Sequence, residues 1–95
     1  MTSRTVVVLA TLDTKGREAQ YLREQIEALG HQALVMDSGV VGTPACRADL
    51  TRQEVASAGG TPLEKLLEHP DREVAARVMA EGATRITLRL LSSLP

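Results

Sequence analysis

A chain of 95 residues suffices for one domain of ordinary size and not for two. Leu, Val and Ile together supply 24 residues, enough apolar material to exclude disorder over the whole length. Eleven basic residues stand against twelve acidic ones, and that balance excludes a strongly basic nucleic-acid surface. No apolar run approaches the roughly 20 residues of a membrane span, and the first residues lead into a strand-like run without a signal peptide. A single cysteine, Cys46, excludes an intrachain disulfide, and His31 and His69 do not complete a metal-ligand set with it. These features describe a soluble, cytoplasmic chain.

Residues 5–10 form a β-branched apolar run without alternation, which suits a parallel strand buried on both faces. A polar stretch follows over residues 11–16, and then a helical pattern places Ala19, Leu22, Ile26 and Leu29 on one face. Gly30 stands where a left-handed helix cap is usual. Residues 33–37 read as a second buried strand, so strand, helix and strand form a right-handed βαβ unit.

A loop carrying Gly39, Gly42 and Pro44 comes next, and Thr51 with Glu54 fits a capping box that opens a short helix ended by Gly59 and Gly60. Thr61 and Glu64 repeat that box with Pro62 at the first helical position. Pro70 and Asp71 open a third helix whose inner face carries Val74, Ala75, Val78 and Met79. Gly82, Ala83 and Thr84 interrupt that helix. Beyond that interruption, residues 86–94 are apolar without a clear period and read as a third strand, a frayed helix continuation or a non-native end. The expected class is α/β, a Rossmann-like βαβ unit with parallel strands followed by helices. Tyr21 is the only aromatic and twelve residues are Ala, so the expectation is a thin core with marginal stability, or dependence on a surface that this chain does not contain.

Chemistry concentrates where the first strand meets the first helix. In open α/β sheets, ligands gather at the carboxyl ends of strands, and helix N-termini offer N–H groups to anions. There Thr11 and Thr14 supply hydroxyls, Lys15 a cation for phosphate oxygens, and Asp13 a carboxylate for Mg²⁺ or a ligand hydroxyl. The plainer reading makes Thr14 or Asp13 a helix cap and leaves Lys15 solvated. Asp37 ends the second strand, where an acidic residue can hold ribose hydroxyls or simply start a turn, and Gly39 lets backbone approach a ligand. Arg47 and Arg52 reach an anion only at the loop rim. Cys46 lacks a partner histidine, and His31 and His69 read as helix-end residues.

The run Val6 to Glu18, then Tyr21-Leu22-Arg23, then Met36-Asp37-Ser38-Gly39-Val40-Val41-Gly42, resembles the opening of the Tm-one-like ATP-binding family, named for a plant tobamovirus-resistance protein. Residues 49–56 with Gly59-Gly60 resemble that family's next block, so the similarity covers roughly residues 5–83. It implies that residues 1–83 are an incomplete part of the family's N-terminal domain, with residues 84–95 a divergent tail outside the resemblance. The resemblance implies binding of ATP, with or without Mg²⁺, at Thr11, Asp13, Thr14, Lys15, Asp37 and Gly39. It also implies a bacterial cytoplasmic location and self-association as a homo-oligomer. The partner expected is a small-molecule nucleotide, with neither nucleic acid nor membrane. Two alternatives stand beside it: a truncated remnant without independent activity, and part of an enzyme acting on a phosphorylated or carboxylated small molecule. No base–nucleophile pair is evident for such an enzyme.

Overall fold

A computed structural model describes residues 3–93. Strand β1 (Thr5–Ala10), helix α1 (Leu12–Ala28) and strand β2 (Gln32–Asp37) make the βαβ unit, and the two strands pair in parallel from Thr5 opposite Gln32 to Ala10 opposite Asp37. A helical crossover is what parallel pairing demands. Behind α1, Gly30 takes φ 85° and the N–H of His31 reaches the carbonyl of Ile26, a left-handed cap as the sequence indicates.

Helix α1 starts earlier than its apolar pattern suggests. Only Thr11 separates it from β1, so the polar stretch 11–16 is a wound helical turn with a kink at Lys15 (φ −120°). Leu12 is fully buried, and its N–H is taken by the Asp37 carboxylate at 3.2 Å. The buried face of α1 is Leu12, Gly16, Ala19 and Arg23, and of the expected stripe Ala19 alone is buried. Arg23 draws the helix round. Its Nη2 donates to the Arg47 carbonyl at 2.7 Å and to Asp49 at 3.1 Å. Gly16 permits that orientation, because a Cβ there would lie 2.6 Å from the Cβ of Ala45.

The outer edge of β2 is closed by residues 49 and 50. Asp49 and Leu50 donate their N–H groups to the Val35 carbonyl, the Asp37 N–H reaches the Leu50 carbonyl, and the Asp49 carboxylate accepts the Val35 N–H at 2.8 Å. Burial opposes ionisation of Asp49. The Val35 N–H, the Arg47 hydrogen bond and the charges of Arg23 and Arg47 outweigh it and hold the carboxyl below its ordinary value.

Helix α2 (Arg52–Ala58) opens with the expected capping box: Thr51 Oγ1 accepts the Glu54 N–H and Glu54 accepts the Thr51 N–H. Helix α3 (Leu63–Glu68) lacks the second box, since Pro62 itself is the cap and makes no side-chain bond. Helix α4 (Arg72–Ser93) is capped by Asp71, whose Oδ1 accepts from Glu73 and Val74. It runs unbroken through Gly82, against the expected interruption, and residues 84–93 continue it. A Cβ at Gly82 would overlap the Val55 carbonyl, and one at Gly59 the Val78 carbonyl. Gly82 is therefore where α4 crosses α2 backbone to backbone.

Two aliphatic cores result. Met36, Val55, Leu66, Met79 and Ile86 pack between β2 and the later helices, while Leu12, Ala19 and Val35 pack under α1. Tyr21, the sole aromatic, is 60% exposed and contributes to neither. Val74 of the expected inner face of α4 is also exposed, whereas Val78 and Met79 are buried. Among the described residues, no helix is long and apolar enough to cross a membrane.

Candidate functional site

The carboxyl end of β2 opens onto a cleft of about 500 Å³, lined among others by Asp37, Val40, Gly42, Arg52, Leu63 and Leu67. Asp37 lies at its base with 1% of its surface exposed. One carboxylate oxygen accepts from the N–H groups of Leu12 and Gly39, at 3.2 and 2.8 Å, and the other accepts Arg52 Nε at 3.0 Å. Asp37 thus joins the start of α1, the loop after β2 and the first residue of α2. Arg52, 5% exposed, also donates through Nη1 to the carbonyls of Val41 and Gly42, both at 2.9 Å. A planar guanidinium with its donors in a fixed fork suits this three-way clamp. Its remaining nitrogen, Nη2, is buried with no acceptor.

Gly39 and Gly42 give this corner its shape. A Cβ on Gly39 would lie 2.9 Å from Arg52 Nη2 and 3.1 Å from both Asp13 Oδ1 and Asp37 Oδ1, so the missing side chain lets these three groups close around the backbone. Gly42 takes φ 72° and passes so close to Asp13 that a Cβ would come within 2.9 Å of the Asp13 Cβ. Of the residues singled out by sequence, the structure brings Asp13, Asp37 and Gly39 together. It does not add the others. The hydroxyls of Thr11 and Thr14 bond each other at 2.8 Å, and Lys15, 64% exposed, lies 3.9 Å from Glu18.

Arg52 organises the site, although its place in the sequence indicates only a rim contact. Its neighbours in sequence are a helix-capping signal, so nothing local marks it as buried. Arg47, given the same rim role, instead pairs with Asp49 at 2.6 Å. The net charge of Asp13, Asp37 and Arg52 is −1, because Asp37 already neutralises the single cation lining the cleft. Among the described residues, no three His, Cys, Asp or Glu side chains gather to hold a metal.

Residues 4–94 match the profile of the N-terminal domain of an uncharacterised protein family, UPF0261. A UPF0261 protein of Clostridium tetani is 39% identical over 88 residues, covering 93% of this chain and 22% of the relative. UPF0261 proteins of Brucella suis and Rhizobium meliloti are each 31% identical, over 81 and 80 residues, covering 85% and 84% of this chain and 19% and 20% of theirs. The chain therefore spans about a fifth of the length of the curated relatives it matches. No solved structure matches it. None of these matches points to the Tm-one-like ATP-binding family, which overturns that resemblance and the ATP-binding function drawn from it. With the profile covering nearly its whole length, the chain belongs to the UPF0261 family, within its N-terminal domain.

Proposed function

We propose that this chain is a binding module for a small, uncharged, polyhydroxylated molecule, held at the carboxyl end of the sheet. The observation that carries the reading is Arg52 Nη2, a buried donor without an acceptor, beside Asp13 Oδ1 across the bare Cα of Gly39. An unmet buried donor costs on the order of 1–3 kcal/mol, so a ligand oxygen that meets it binds with that gain. A hydroxyl can accept from Nη2 and donate to a carboxylate at once, and neighbouring hydroxyls can divide those roles.

Charge narrows the class further. The site already carries one negative charge in excess, and Lys15 points to solvent, so a phosphate or carboxylate would meet repulsion without a free cation. A neutral polyol avoids that cost, and Val40, Leu63 and Leu67 offer the apolar face of a sugar ring a surface. A cytoplasmic setting belongs to the same proposal, in keeping with the unpaired Cys46.

Isothermal titration with D-ribose and with myo-inositol tests the reading, with inorganic phosphate as the contrasting probe. Saturable heat from either polyol, lost in Asp13→Asn, is the expected result. Binding of phosphate in preference to both polyols overturns it, and so does an absence of binding by all three.

A further inference from the structure

The two edges of the sheet are treated differently. Hydrogen bonds from Gln32 N to Arg4 O and from Ser38 N to Ala10 O set the phase of the β1–β2 ladder. In a parallel ladder alternate residues bond to opposite sides, so Val6, Val8 and Ala10 address β2, while Thr5, Val7 and Leu9 turn their N–H and C=O groups outward. Asp49 and Leu50 satisfy the corresponding groups on β2. Nothing among the described residues does so for β1. The strand also carries no Lys, Pro or bulge of the kind that protects natural edges. Leu9 is instead 55% exposed, and Val6 is exposed as well.

Both flanking helices overhang this edge with apolar side chains. At 100° per residue, Leu22, Ile26 and Leu29 lie on the flank of α1 turned away from Gln20, and Gln20 and Arg23 lean toward the β2 side through Asp49. That places the stripe on the β1 side, where Leu22 and Leu29 remain exposed. On the other face, Leu90 and Leu91 near the end of α4 border a cavity of about 180 Å³ with Thr5, Val7 and Leu34. Apolar side chains thus border the open edge of β1 on both faces of the sheet.

We infer that this edge accepts a parallel β-strand from the portion of a UPF0261 polypeptide that lies outside the stretch matched here. Roughly four-fifths of each relative lies outside that stretch, and the last turn of α4 ends beside Thr5 and Gln32, where a parallel neighbour of β1 begins. A strand entering there would be joined by helices on the face opposite α1, the right-handed crossover that parallel sheets use. Its side chains would cover Leu22, Ile26 and Leu29 from below and Leu91 from above.

Hydrogen exchange on two proteins tests this: the 95-residue chain alone, and a chimaera in which it replaces the matched segment of the Clostridium tetani relative. In the chain alone, Thr5, Val7 and Leu9 amides should exchange fast while Val6, Val8 and Ala10 are protected. In the chimaera, the first three should slow by on the order of a hundredfold or more. Equal exchange in the two proteins overturns the inference. Concentration-dependent protection in the chain alone also overturns it, because a second copy would then be the occupant. Should the chimaera not fold, the native Clostridium tetani protein provides the same readout at its aligned residues, where fast exchange refutes the proposal.

Discussion

Replacing Gly82 with Ala tests how α2 and α4 meet. In an isolated helix the change would help, by roughly 1 kcal/mol of helix propensity. Here the new Cβ would overlap the carbonyl oxygen of Val55, and next to it lies the Gly59 backbone N at 3.0 Å. Neither neighbour can swing aside, because both belong to the last turns of α2, where the Gly59 N–H is bonded to the Val55 carbonyl at 3.0 Å. The helices must therefore separate, loosening Met79, Ala83 and Ile86 from the larger core. Overpacking costs typically 1–3 kcal/mol, and backbone as the obstacle puts this site at the upper end, so the net loss is about 2 kcal/mol after the propensity gain. For a domain of this size that lowers the melting temperature by about 8–16 °C. A circular-dichroism melt of Gly82→Ala beside the parent reads it directly. An unchanged or raised melting temperature would refute the crossing as described.

Arg52→Ala strands the Asp37 carboxylate in the interior, and chemical denaturation should show a loss of about 3–5 kcal/mol; a loss under 1 kcal/mol would mean the clamp is not buried as described. The carboxyl of Asp49 is held below its ordinary value in the native state, so its ionised form stabilises the fold above the unfolded carboxyl range. That contribution is lost as pH falls through the folded value, below 3.8, and Asp49→Asn should flatten the acid limb of a stability–pH curve. Gly39→Ala puts a methyl within 2.9 Å of Arg52 Nη2 and pushes that nitrogen from its place, so polyol heats should vanish in titration while the far-ultraviolet spectrum stays that of the parent.

The βαβ unit was legible because β-branched runs, a helical period and a capping Gly30 all report local geometry. Legibility failed where a distant partner decides. The stripe Leu22, Ile26, Leu29 is the strongest apolar signal in α1, yet the helix buries Arg23 instead, because Arg47 and Asp49 lie two dozen residues away to receive it. Gly82 reads as a helix breaker by propensity and acts as a crossing point by contact. Thr61 repeats a capping spacing, but Pro62 takes the cap itself. At the site, Asp37 and Gly39 were visible as strand-end residues, whereas Arg52 was hidden within a helix start whose capping box accounts for its neighbours.

Binding at this site requires that Arg52 and Asp13 share a ligand. An amide and guanidinium NMR titration of the chain with D-ribose, following Arg52 Nε–Hε and the N–H of Gly39, addresses that most directly. Saturable shifts at both resonances, absent in Asp13→Asn, are the predicted result. Resonances that stay fixed up to saturating D-ribose, or that move only with inorganic phosphate, would contradict it.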